Sequence, residues 1–521
     1  MGWGASHKML DTTLRPKKIL FVLVAGGLVA IIVWLAVAAF TWNREAVFFG
    51  GGVYFADGDC YARMTRVRMI EEEGVRSIRH HAWENFPEGT GPHTTMPLDV
   101  VIAGMAAGLR PFSERPLEMA GAWVSPMLGW VTVGFLVAWG LVMRVPYWWA
   151  MGWMAAGSPI LAHGFQVGRP DHQSLLVLLV AVALAAEVGI WTKGGRFWKY
   201  VSAAAWALAL WVSLFEPGIL LGVVLVARGV ARKWGVDWKA VAVFAGLAGF
   251  ALLVDGWRAA GFHEAFGRWA LNIGELRSAG WGQIFSWCGW LVAVAPGVLI
   301  WRAFRGGGAV CGLFAGLIVA LTVLCFWHAR WGYFLALIFA MSLPWALAGL
   351  RWKWLAAVAL GVSLWPVAAE WERILYPTDE AFRARAENVA DAVALREAAV
   401  AIRGLPDGGV LAPWWFSPAI VWWSGKPCVG GTSHQSLPGI VDSCVFYLAG
   451  DKAEGAEILE NRKVRAVIAY EPDRVVSNSE QILGRKAEGS TLAEELYKKR
   501  PLEGLGLVFE NRFFKVYEVA D

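Results

Sequence analysis

Charge is what this sequence has least of. Asp, Glu, Lys and Arg make up 17% of its 521 residues, against 57% hydrophobic residues. Soluble domains carry about a quarter charged residues, so a string of independent water-soluble domains is excluded and a membrane is the expected solvent. Cysteine is also scarce. Cys60, Cys288, Cys311, Cys325, Cys428 and Cys444 are scattered, and no pair has zinc-ribbon spacing, which argues against a cysteine-based metal site. Cys428 and Cys444 admit either a disulfide, if their segment faces an oxidising compartment, or two buried free thiols. No internal repeat or low-complexity tract is present, which excludes solenoids and collagen-like arrays.

Apolar runs and tryptophan are abundant. The 33 Trp suit a chain with aromatic belts at two water interfaces. Residues 19–40 form a run long enough to cross a bilayer, and Arg15, Lys17 and Lys18 before it keep the N-terminus cytoplasmic. The run exceeds the apolar core of a signal peptide, so it reads as an uncleaved anchor. Further runs at 120–143, 147–163, 173–191, 200–215, 217–230, 239–255, 284–301, 308–327, 331–349 and 353–369 bring the total to about eleven spans. With residues 96–109 kept out of the count, Arg144, Lys193, Arg196, Lys199, Arg228, Arg232, Lys233, Lys239, Arg302, Arg305, Arg351 and Lys353 all fall on the cytoplasmic side. This arrangement requires a long first external loop, about residues 41–119, and a second large one, about 256–283.

Residues 1–370 are therefore expected to be a polytopic helical membrane domain, and 371–521 a soluble, periplasmic α/β domain. Net charge divides accordingly, roughly +9 before residue 370 and roughly −4 after it. Strands are expected at 464–470, 506–509 and 513–519, and a helix at 381–403. The same topology puts His80, His81, His93, His163, His172, His263, His328 and His434 outside and only His7 inside. Chemistry is expected on the external face.

Polar residues cluster in three external loops and at one span end, positions where charge is costly and tends to mark function. The first cluster is Asp57-Gly58-Asp59-Cys60-Tyr61-Ala62-Arg63, in which two carboxylates near arginines suit a divalent cation holding a phosphate. An Asp-capped helix whose arginines face lipid headgroups explains the same residues. The second is Gly168-Arg169-Pro170-Asp171-His172-Gln173 between two apolar runs, where Asp171 either caps the next helix or points into a cavity. The third is Asn272-Ile273-Gly274-Glu275, and Arg330 lies at the external end of a span beside His328. Arg330 is either a snorkelling side chain or a phosphate clamp.

Taken in order, these segments resemble the catalytic subunit of oligosaccharyltransferase and its single-chain relatives, which are GT-C glycosyltransferases. Trp414-Trp415 at the start of the soluble domain extends the resemblance over most of the chain. The resemblance implies about 11–13 transmembrane helices, a polyprenyl-linked sugar donor, a protein or glycan acceptor, a lipid bilayer as surroundings and no nucleic acid. It implies that Asp57 or Asp59, together with Asp171, Glu275 and His172, binds Mn²⁺ or Mg²⁺ and activates the acceptor. Arg330, Arg169 and His328 would hold donor phosphate, and Trp414 and Trp415 the acceptor. Two departures stand out: Gln173 replaces an acid, and Phe416 replaces the aspartate that accepts a hydrogen bond from an acceptor hydroxyl. The expected activity is sugar transfer on the periplasmic face of the inner membrane. The alternatives are a single-sugar GT-C transferase acting on lipid or polysaccharide, a transporter or lipid-handling protein, and a scaffold that has lost its chemistry.

Overall fold

The computed structural model describes residues 16–75, 77–92, 94–231, 236–258, 263–348, 353–500 and 503–520. His7, His93, Arg15, Arg232, Lys233 and Arg351 lie outside them. Helix α1 (Pro16–Thr41) leads into a two-stranded hairpin, β1 (Phe48–Phe49) and β2 (Gly52–Val53), followed by α2 (Gly58–Glu73) and α3 (Met96–Leu109). The helical body continues with α4 (Pro116–Val142), α5 (Trp148–Gly157), α6 (Pro159–Phe165), α7 (His172–Thr192), α8 (Arg196–Val212), α9 (Phe215–Val230) and α10 (Trp238–Asp255). It closes with α11 (Phe266–Ala270), α12 (Trp281–Cys288), α13 (Leu291–Arg302), α14 (Ala309–Trp327), α15 (Gly332–Leu347), α16 (Lys353–Ser363) and α17 (Trp365–Leu375).

All the apolar runs are helical, but fewer of them reach across a bilayer than their number suggests. Among the described residues six helices are long and apolar enough to cross, and two bent pairs, α12 with α13 and α16 with α17, raise this to eight. Pro159, at the first position of α6, breaks one run into two short helices because it lacks the N–H that would continue α5. Helices α8 and α9, at 17 and 16 residues, stand at the lower limit of the length that crosses. Helix α3 has 14 residues, a length of about 21 Å at the α-helical rise, less than the hydrocarbon core. It lies along α4 instead.

The C-terminal part comprises α18 (Asp379–Ile402), β3 (Gly409–Leu411), α19 (Ser417–Ser424), α20 (Leu437–Leu448), α21 (Lys452–Asn461), β4 (Val464–Ala469), α22 (Pro472–Leu483), α23 (Leu492–Tyr497), β5 (Leu505–Glu510) and β6 (Lys515–Val519). Its sheet runs β3-β4-β6-β5, with β3 parallel to β4 and the other neighbours antiparallel. β4 is buried at every position except Arg465, as an inner strand covered on both faces should be. All six cysteines are free and buried, so Cys428 and Cys444 are two thiols and not a disulfide.

The C-terminal part is docked on the segment between α1 and α3 through aromatic and charged anchors. Trp422 packs on Phe55, and Trp423 on Tyr54 and Tyr61. Arg68 of α2 lies 3.6 Å above the Trp422 ring and donates to its carbonyl at 2.9 Å. Arg462 reaches Asn85, Glu88 and Asp442. The arginines of α2 do not face lipid headgroups as one sequence reading had it. Arg63 and Arg66 turn inward onto Asp99, which is fully buried on α3.

Asp99 therefore neutralises two buried guanidinium groups, and removing it leaves both without their counter-charge. Asp99→Ala should cost about 3–5 kcal/mol, read as a large fall in thermal midpoint by tryptophan fluorescence in detergent. A midpoint near wild type would show that the two arginines find other partners.

Candidate functional site

The long loops between the helices and the C-terminal part together line a cavity of about 1210 Å³. Asp57, Asp59, Arg169, Asp171, His172, Glu275, His328, Arg330, Trp414 and Trp415 all line it. Segments separated by more than 300 positions are thus brought to one space. Each arrives there for a local reason.

The segment between α6 and α7 is held by its backbone. Gly168 donates to the Ala122 carbonyl at 2.9 Å and accepts from Ala56 N at 2.8 Å, while Ser125 Oγ donates to the Arg169 carbonyl. Gly168 has φ +76°, and a Cβ there would lie 2.7 Å from Val47, so only glycine fits. Arg169 leaves this fixed base with its guanidinium buried. Its Nη1 lies 3.0 Å from Asp57 Oδ2, and its Nη2 lies 2.7 Å from Glu275 Oε1 and 3.5 Å from Asp171 Oδ2. One cation spans three carboxylates. The donor-phosphate role expected of Arg169 does not match this placement, because these nitrogens already serve carboxylates.

Asp57 and Asp59 divide their tasks. Asp57 caps α2, accepting from Cys60 N at 3.0 Å through Oδ1, as the capping reading expects, while Oδ2 meets Arg169. Asp59 is hydrogen-bonded by Thr432 of the C-terminal part, and among the described residues it pairs with no cation. Gly58 between them allows that approach, since a Cβ there would meet Thr432 Cγ2 at 2.6 Å. Asp171 occupies the N-cap position of α7 without a side-chain capping bond; its carboxylate is held by His172 Nδ1 at 2.7 Å and by Arg169.

Glu275 sits in a single helical turn, Gly274–Leu276, tied on two sides. Ala279 N donates to the Cys325 carbonyl and Ala329 N to the Arg277 carbonyl, at 2.9 and 2.7 Å, fastening the loop to the junction of α14 and α15. On the other side Trp414 Nε1 donates to Asn478 Oδ1 at 2.8 Å, and Asn478 Nδ2 donates to Asn272 Oδ1 at 2.9 Å. Arg330 is not a free clamp: its Nη2 lies 2.5 Å from the fully buried Glu216. Phe416 turns away from the cavity into an aromatic cluster, 4.9 Å from Tyr470 and 5.3 Å from Phe514 between ring centres.

Several cavity residues escape a reading of the sequence. Tyr333 donates to Glu275 Oε1 at 3.1 Å and contacts His163 Nδ1 at 2.9 Å. Glu84 accepts from Ser433 and Ser436 at 3.2 and 2.9 Å. Glu216, isolated between apolar stretches, carried a legible signal, since an acid in such a place needs a partner.

The electrostatics follow from enclosure. Asp59 is open to the cavity, but the walls displace most bulk water; burial, then the neighbouring Asp57, raises its pKa from 3.8 to about 7. Burial likewise raises Glu275, with Arg169 opposing. For Asp171 burial works in the same sense, but His172 and Arg169 outweigh it and hold the carboxyl well below the usual range. The expected Mn²⁺ or Mg²⁺ set of Asp57, Asp59, Asp171, Glu275 and His172 does not fit this geometry. One oxygen each of Asp57, Asp171 and Glu275 already faces the Arg169 guanidinium, Asp59 is hydrogen-bonded instead to Thr432, and among the described residues no group of three or more His, Cys, Asp or Glu side chains is arranged to hold a metal.

No protein-family model and no curated protein matches the chain by sequence. Solved structures do match. A crystal structure of the Archaeoglobus fulgidus oligosaccharyltransferase with Zn and sulfate superposes with a TM-score of 0.64 at 13% identity, covering 95% of this chain and 73% of that one. The chain has the GT-C fold. Archaeal AglB from the same organism, in complex with an inhibitory peptide and a dolichol-phosphate, gives a TM-score of 0.61 at 13% identity, covering 90% and 71%. ArnT from Cupriavidus metallidurans bound to undecaprenyl phosphate gives 0.56 at 13% identity, covering 94% and 98%.

The raised pKa of Asp59 makes stability depend on pH. Between 3.8 and about 7 the folded protein keeps a proton here that the unfolded chain releases, so the contribution of this residue to stability falls as pH rises through that window. Asp59→Asn should raise the thermal midpoint most at pH 8, and clearly less at pH 5. An equal effect at both values, or a loss at pH 8, would mean that the charge is compensated.

Proposed function

We propose that this chain is a membrane glycosyltransferase that moves a sugar or oligosaccharide from a polyprenyl-phosphate or pyrophosphate donor to a protein or glycan acceptor on the periplasmic face of the inner membrane. The observation that carries the reading is the meeting of Asp59, Asp171, Glu275 and Arg330 in one cavity of a GT-C fold. Solved structures of similar fold hold dolichol-phosphate or undecaprenyl phosphate, which supports a polyprenyl donor. The proposed architecture is a membrane domain over 1–370 and a soluble domain over 371–521, with the cavity outside the cytoplasm.

Chemically, the acceptor attacks the anomeric carbon from the side opposite the phosphate, the carbon–oxygen bond to phosphate breaks, and the acceptor proton passes to a carboxylate. Asp59, with a pKa of about 7, is well matched to receive it at neutral pH, and Glu275 is the second candidate. Arg330 meets the charge that develops on the departing phosphate, while Glu216 fixes its direction. Asp57 and Asp171 hold Arg169 and shape the site. A single-sugar transferase acting on lipid or polysaccharide is the second reading. Phe416 favours it, since a phenyl ring packed on Tyr470 offers no carboxylate to read an acceptor hydroxyl.

Two measurements test the proposal. Membranes containing the wild type should discharge labelled polyprenyl-linked sugar, and Asp171→Ala and Glu275→Ala should lower the rate by about 100-fold or more while the protein remains folded. Equal discharge by all three proteins would remove these carboxylates from the mechanism. Topology is tested separately with Glu457→Cys, exposed on α21, against a background of six buried cysteines. A membrane-impermeant maleimide should label it in spheroplasts, and labelling only after lysis would reverse the orientation.

A further inference from the structure

We infer that the Arg169 guanidinium occupies the place of a catalytic cation in this site, so that the wild-type protein binds no divalent metal ion among Asp57, Asp171 and Glu275. The inference rests on the transferase reading for its function but on geometry for its substance. The three carboxylates come from three different loops and converge on one object, and that object is a planar cation contacting them at 3.0, 3.5 and 2.7 Å. The guanidinium fork can serve several carboxylates at once, as a compact ion does, but with fixed directions and a single charge.

Arg169 cannot easily yield the place. Its side chain is 8% exposed. Its backbone is pinned by Ser125 at the carbonyl and by Gly168 on Ala122 and Ala56, and Pro170 stiffens the next position. His163 Nε2 lies 3.5 Å from Nη1, on a further side of the group. A divalent ion entering here would meet a like charge at contact distance in an enclosed site, and it would have to take the same oxygens that the guanidinium holds. Gln173, the neutral residue following His172, is buried and has no protein partner for either amide atom, so it brings no negative charge to offset a second cation. Arg169 thus acts as a positioning residue: it sets the spacing and direction of Asp57 and Glu275 without touching the reacting atoms.

The test uses the full-length protein purified in detergent, with no donor or acceptor, and Mn²⁺ as probe. Electron paramagnetic resonance should find no saturable Mn²⁺ site in the wild type. Arg169→Ala should create one site per chain, at least about tenfold tighter than any wild-type binding because a like charge has been removed, and adding Glu275→Gln should abolish it. Arg169→Lys, which keeps the charge, should bind no Mn²⁺. The inference is overturned if the wild type binds one Mn²⁺ that Glu275→Gln or Asp171→Asn removes. It is equally overturned if folded Arg169→Ala binds none, since the carboxylates would then form no cation site at all. Should Arg169→Ala not fold, the wild-type titration and the Arg169→Lys variant still decide. None of these results depends on sugar transfer, so a failed discharge assay and a failed metal titration are distinguishable.

Discussion

One buried guanidinium sets the geometry on which this site depends. Arg169 draws Asp57 from the segment after α1, Asp171 from its own loop and Glu275 from the loop before α12 into a single cluster. Without it, three carboxylates lining one cavity would repel one another, and only the backbone bonds that anchor each loop would oppose that repulsion. Buried ion pairs add little net stability, because desolvation offsets much of the attraction, but they do fix direction. Here the direction is useful: it leaves Asp59, one residue beyond Gly58, outside the ion pairs and facing the same cavity with its proton affinity raised.

The cluster in turn relies on contacts between the two halves of the chain. The loop bearing Glu275 is fastened at one end to the α14–α15 junction and at the other, through Asn272 and Asn478, to Trp414. Trp422 and Trp423 carry the same C-terminal part onto the first loop. Movement of the C-terminal part against the helices would therefore disturb both Glu275 and the wall beside Asp59. The tryptophans of this part divide into Trp414 and Trp415, which line the cavity, and Trp422 and Trp423, which join the two parts.

The helices were legible because each apolar run is long compared with its interruptions, and β4, β5 and β6 because their apolar residues stand between turn signals. The number of crossings was not legible, because run length alone does not reveal the Ser158-Pro159 break or the bend between α12 and α13. β3, with three residues, carries too few positions to show a period. The carboxylates of the site were visible as acids placed against apolar runs. The role of Arg169 was not, since sequence order gives no hint that a residue two positions from Asp171 also meets Asp57 and Glu275. Tyr333 and His163 were hidden by apolar neighbours that make a polar side chain read as helix interior.

Phe416 bears most directly on what the acceptor can be. In place of a carboxylate that would accept a hydroxyl hydrogen bond, the chain puts a phenyl ring, and the ring packs edge-on against the stacked pair Tyr470 and Phe514 and not into the cavity. The substitution is therefore more than a lost charge: an aspartate at this half-buried position would stand beside aromatic rings and not toward the cavity. A buried carboxylate does line the cavity, but it comes from the segment between α2 and α3: Glu84, oriented by Ser433 and Ser436 of the C-terminal part. The cavity walls thus come from both halves of the chain, with the C-terminal part contributing hydroxyls, His434 and two indoles, and the helical part contributing the acids. That distribution explains why the two halves are so firmly joined, since a cavity whose charges and walls come from different domains keeps its shape only while the domains stay together.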